Sequence, residues 1–241
     1  MDKAIKPKRF YKSAGVELID GAWAVFLDGR VVKTPAKAAL ALPTQALAAA
    51  VADEWEAQGE TLDLQVMTLT RLANVAIDRT PETRVEMVSE IARYGETDLT
   101  CYLAENPSEL QARQDAAWRP WRDWAGKTLG VVLVPVYGIV ASPQPQASLD
   151  AIVAHAETLD DFALTGLAWA CSLFGSAVLA LALENGAISA EAAFKASLVD
   201  EDWQIEQWGE DQEAMAARAG RERDAMALGL WFQALKTTSG V

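Results

Sequence analysis

The chain has 241 residues, 51% of them hydrophobic and 23% charged, a balance that excludes a disordered tail and suffices for a buried core in one large domain or two modest ones. Lys and Arg number 21 against 34 Asp and Glu, for a formal net charge of −13. That surplus of acid excludes the basic footprint that nucleic acid and anionic lipid require, and leaves two uses for the charge, solubility or the steering of a basic partner patch.

Taken in chain order, the first dozen residues alternate lysines with apolar residues and lack the apolar run of an export signal, so the cytoplasm is the expected compartment. The next segments read as β-rich. Residues 9–12 and 16–19 are short strand candidates. Residues 22–27 alternate, with Trp23, Val25 and Leu27 on one face, and Asp28-Gly29 then predicts a tight hairpin into residues 30–34. Thr44 is placed to cap a helix whose stripe is Leu47, Val51 and Trp55, and Gly59 is placed to stop it. Residues 62–67 read as a further strand and 68–77 as a helix.

From Thr80 onward helices dominate. Thr80-Pro81 reads as N-cap and first helical residue, Val85, Val88 and Ile91 as the buried stripe, and Gly95 as the end. Pro107 opens the next helix, which Pro120 is expected to kink or break. Residues 131–136 are a short apolar run, strand or extended connection, and 142–146 a loop with two prolines. A helix over 149–157 follows. Residues 162–183 carry no charge and are long enough to cross a bilayer, but their flanks are acidic and many members are small, so a buried core helix is expected. On it Ala168, Ser172, Ser176 and Ala180 recur every four residues as a small-residue face. A helix from Ser189 and a long helical segment over 199–236, interrupted near Gly209, complete the chain. The expected fold class is therefore α+β: a small β-rich α+β unit over 1–80, then a mainly α-helical domain over 81–241.

Signatures of chemistry are missing. The sequence contains no phosphate-binding glycine loop, nucleophile elbow or paired-cysteine motif, and its single histidine, His155, cannot build a histidine-rich metal site. No cofactor and no metal are expected. Cys101 and Cys171 leave one disulfide open but no disulfide framework. The informative segment is acidic, from Asp200 to Glu213, with no Lys or Arg between Lys195 and Arg218. On a helix Leu198, Glu201, Ile205, Trp208 and Met215 share a stripe, so Glu201 falls among apolar residues. A carboxylate there needs a partner, either an internal arginine or a base on another protein. Nine tryptophans are present. Trp203 and Trp208 flank the acidic segment, and tryptophan serves both cores and interface centres.

Motifs along nearly the whole chain carry a family resemblance. They are Arg9-Phe10-Tyr11-Lys12, Leu27-Asp28-Gly29-Arg30, Lys33-Thr34-Pro35, Glu54-Trp55 with Gln58, Met67-Thr68, Leu72-Ala73-Asn74, Thr97-Asp98, Cys101-Tyr102, Glu109-Leu110, Trp118 with Pro120, and Glu201 with Gln204-Ile205 and Trp208-Gly209. In this order the chain resembles the chaperones of the ATP synthase α subunit found in mitochondria and α-proteobacteria. The resemblance implies a two-part fold, no enzymatic activity, and a monomer that binds the free α subunit and prevents its aggregation before the catalytic head is assembled. It implies that Glu201 and Trp55 matter for partner binding, and the acidic and aromatic neighbours Asp202, Trp203 and Trp208 extend that candidate surface. No transit peptide is seen, which implies a bacterial member. Two rival readings are a carboxylate-dependent enzyme using Asp200 with Glu201 or Asp202, and a peripheral membrane protein that exposes Phe162, Leu173 and Leu179.

Overall fold

The computed structural model describes residues 6–138, 140 and 142–237, so residues 1–5 of the N-terminal stretch lie outside it. Strands β1 (Ala14–Ile19) and β2 (Ala22–Leu27) pair antiparallel along their full length, from Ala14 opposite Leu27 to Ile19 opposite Ala22. Beyond β2, β3 (Arg30–Val31) pairs its second half and β4 (Ala41–Leu42) its first half. Both tight turns, Asp20-Gly21 and Asp28-Gly29, hold two consecutive residues at positive φ, the conformation an Asp-Gly pair supplies at low cost. Asp28 also ties the turn to the entering chain. Its carboxylate accepts the N–H groups of Lys12 and Ser13 at 3.0 Å, which lowers its pKa.

Helix α1 (Gln45–Glu56) is capped by Thr44, whose hydroxyl accepts from the N–H of Leu47, and its stripe Leu47, Val51 and Trp55 is buried as expected. Residues 9–12 form no strand. Arg9 anchors that stretch by its side chain, donating to the carbonyls of Tyr11, Glu56 and Gln58. Residues 62–67 are likewise not a strand. Asp63 accepts from the N–H of Gln65 and winds residues 64–66 into a 3-10 turn. Helices α2 (Thr68–Asp78) and α3 (Thr80–Glu96) follow. Thr80 is not a cap: it is buried, and its hydroxyl meets the carbonyl of Val75 and the hydroxyl of Thr165. Val88 and Ile91 are buried, but Val85 is exposed. A three-residue step on a helix falls about 60° short of a full turn, so a stripe of three such positions drifts around the helix and its first member, Val85, falls off the core.

After a 3-10 turn at Leu99–Cys101, β5 (Tyr102–Leu103) pairs in parallel with β6 (Val136–Tyr137). Between them α4 (Ser108–Leu129) runs through Pro120 without stopping. Ala116, whose carbonyl loses its hydrogen bond there, lies on the exposed face, where water can replace the missing donor. The extended chain before β6 has its main chain satisfied by side chains. Ser148 bonds both the N–H and the carbonyl of Val132, and the carboxamide of Gln144 bonds both those of Val134. Helix α5 (Gln146–Thr158) then leads to the uncharged run.

That run is two helices, α6 (Asp161–Phe174) and α7 (Ala177–Asn185), rather than one. Gly175, at φ 63°, turns the chain into the left-handed region, and Ser176 caps α7 by accepting from the N–H of Leu179. The small-residue face is accordingly broken, with Ser172 exposed and Ser176 serving as a cap. Leu179 is fully buried, and Phe162 and Leu173 pack against the core, which removes the basis for a membrane-facing apolar helix. Among the described residues no helix is long and apolar enough to cross a membrane.

Beneath this break sits Asp98. Its carboxylate accepts from the hydroxyls of Thr100 and Ser176 and from the N–H groups of Thr100 and Val178, and burial raises its pKa. Cys101 and Cys171 are free and buried, and burial pushes the Cys101 thiol up to about 12. Helices α8 (Ala190–Ser197), α9 (Val199–Trp208) and α10 (Gln212–Lys236) complete the fold. One continuous core joins the sheet and α1 to the helices, and the Thr44 hydroxyl donates to the carbonyl of Ala234 across 190 residues of sequence. The architecture is α+β, a small N-terminal sheet region followed by a mostly helical domain.

Candidate functional site

Helix α9 carries the first part of the acidic segment, Asp200 to Glu206, and has no buried residue. Gly209 ends it at φ 88°, and α10 begins after Asp211 accepts from the N–H of Ala214. The stripe read across residues 198–215 is therefore divided between two helices. Asp200, Glu201 and Asp202 occupy the first turn of α9, where the exposed N–H groups and the helix dipole favour negative charge.

Glu201 is paired within the molecule. Nη2 of Arg221 on α10 donates to both of its carboxylate oxygens, at 2.9 and 2.6 Å. Beside it Arg218 donates to Asp202 at 2.5 Å and lies 3.9 Å from Glu201. One turn further, Arg113 of α4 reaches both oxygens of Glu206 at 2.7 Å and covers the Trp203 ring at 4.9 Å. The same guanidinium holds the Glu206 carboxyl below the usual range. Three acids of α9 are thus neutralised internally by three arginines. The Glu201 side chain retains 29% exposure, so the pair stands at a wet edge rather than in the core.

Beside α9 lies a groove of about 1000 Å³ whose opposite wall is built from residues 102–107 and the chain around Tyr137. Buried Gln114 ties the two walls together, accepting from the N–H of Ala104 at 2.7 Å and donating to Asp200 at 2.6 Å. Trp203 and Trp208 line it, and Trp208 is 78% exposed.

The structure therefore brings Glu201, Asp202, Trp203 and Trp208 together on one helix and separates Trp55 from them. Trp55 is 8% exposed, edge-on to Tyr11 at 5.8 Å, with its carbonyl bonded by the Tyr11 hydroxyl. Its indole N–H has no hydrogen-bond partner among the described residues, and the ring lines a small pocket with Phe10, Arg30 and Lys33. Sequence reasoning did not find the opposite wall, Glu105, Tyr137 and Val140. No pattern in the sequence marks these three, since the nearest apolar run, over 131–136, stops short of Tyr137 and Val140. Among the described residues no group of three or more His, Cys, Asp or Glu is placed to hold a metal ion.

The profile of the ATP12 chaperone protein family matches residues 8–126. The crystal structure of Atp12 from Paracoccus denitrificans is 38% identical and superposes with a TM-score of 0.88 over 95% of this chain and 99% of that one. The Atu1473 protein of Agrobacterium tumefaciens is 40% identical, with a TM-score of 0.90 over 95% and 87% of the two chains. Protein atp12, mitochondrial, of Schizosaccharomyces pombe is 25% identical over 219 residues, 86% of this chain and 75% of the yeast protein. Motif order, fold and relatives agree, and the chain belongs to the ATP12 family of F1-ATPase assembly chaperones.

Proposed function

We propose that this protein binds the free α subunit of F-type ATP synthase and shields it from aggregation until the catalytic head is assembled, without hydrolysing nucleotide, as a monomer in the bacterial cytoplasm. The observation that carries the reading is α9, which presents a largely exposed tryptophan and an acidic edge on a helix with no buried residue. Trp208 stands with exposed Tyr137 and Val140 around one groove, and exposed apolar patches mark interaction sites, where tryptophan is favoured at the centre. Glu201, Asp202, Trp203 and Trp208 form the proposed contact region, with Trp55 acting through the packing of the N-terminal unit. In the test, refolded α subunit is mixed with the purified protein and light scattering is followed without ATP. Suppressed scattering and a co-eluting complex support the reading. Unchanged scattering with no complex removes it.

A further inference from the structure

Resting on that reading, we propose that the groove beside α9 is the seat for an extended segment of the client subunit that carries a large apolar side chain next to a lysine or arginine. The argument is one of charge complementarity in a built cleft. The charged side chains that line the groove are Glu105 and Asp200. Among the described residues neither has a Lys or Arg partner, whereas Glu201, Asp202 and Glu206 on the same helix each do. The arginines have been spent on the outer acids, and the two carboxylates facing the cleft remain unneutralised. A cation arriving between them would meet opposite charge from both walls, which selects the partner as well as attracting it.

The rest of the lining is apolar and already open to solvent. Trp208, Tyr137 and Val140 are exposed around the cleft, so covering them would remove apolar surface from water. The walls are preset rather than loose, because Gln114 bonds both of them and less ordering is required on binding. Glu105 is itself positioned over Gly138, where a methyl group would meet its Oε1 at 2.9 Å. An extended segment matches the wall opposite α9, which is built on the two short strands β5 and β6 and the residues that follow them.

The test uses the full chain and three fluorescently labelled short peptides, read by anisotropy. One has phenylalanine and leucine flanked by lysines, one has the lysines replaced by glutamates, and one has the apolar residues replaced by serine. Saturable binding of the first peptide alone is expected, weakened roughly tenfold or more by Glu105→Lys and by Trp208→Ala, and unchanged by Glu17→Lys, an exposed site on β1. Equal binding of the lysine and glutamate peptides, or equal loss with Glu17→Lys, overturns the proposal. The same variants are then assayed on refolded α subunit. If wild type binds the subunit and the groove variants bind it equally well, the groove is not the client site although the chaperone reading stands. If the peptides behave as expected and the subunit does not bind, the groove stands and the choice of client fails.

Discussion

Two helices of nearly equal length show what the fold does with its residues. In α7 the eight residues from Ala177 to Glu184 are all buried, whereas in α9 none of ten is. Packing holds α7, which is surrounded by neighbours and fastened at its N-terminus to Asp98. Three arginines hold α9 from outside, Arg218 and Arg221 of α10 and Arg113 of α4. The first arrangement is strong and insensitive to salt. The second is weaker and tunable, because exposed ion pairs are worth about 1 kcal/mol or less and are screened. Under the proposed function α9 takes up and releases another protein, and a surface with that task would belong to the second kind.

The contrast can be broken most forcefully at Asp98. Asp98→Ala leaves buried donors at Thr100, Ser176 and Val178 without an acceptor, and a loss of about 3–5 kcal/mol in urea unfolding is expected. Leu179→Ala, in the middle of α7, opens a cavity and is expected to cost about 2–5 kcal/mol in the same assay. On α9 the figures shrink. Glu201→Lys places a third cation beside Arg218 and Arg221 and is expected to cost about 1 kcal/mol with the fold retained by circular dichroism, while binding of the α subunit falls. The charge swap Glu201→Arg with Arg221→Glu sharpens the point. It rebuilds the pair, so restored binding assigns Glu201 to positioning α10, and binding that stays lost assigns it to docking.

The smallest effect concerns pH. Glu56 accepts the N–H of Ala14 at 2.7 Å and pairs with Arg9, and these bonds lower its pKa from the ordinary 4.5. A folded pKa below the unfolded one means that the contribution is fully present above about pH 4.5 and is lost as the pH falls through the lower, folded value. The amide shift of Ala14, followed by NMR, should therefore inflect below pH 4.5, and an inflection above it would contradict the contact.

Much of this was legible in the sequence, for identifiable reasons. The Asp28-Gly29 turn and the Thr44 cap are set by neighbours within a few residues, and the Leu47, Val51, Trp55 stripe by helical spacing. Glu201 was legible as a carboxylate in need of a partner, but which partner depends on the fold, which brings Arg221 back beside it. The break at Gly175 was missed because hydropathy sums over side chains, whereas the break comes from one backbone angle and one serine cap. Tyr137 and Val140 were hidden because they lie beyond the apolar run over 131–136, where no periodic pattern marks a residue as facing a cleft.

The side chains of Ser148 and Gln144 on Val132 and Val134 have a further consequence. They occupy the hydrogen-bonding groups that an extended chain otherwise offers to any passing strand, and strands of the same protein are the ones most often at hand. Under the proposed function the protein would meet unpaired strands of its client throughout its working life. Two side chains closing that edge leave it nothing to offer such strands, so the molecule could sit among sticky neighbours without becoming the seed on which they grow.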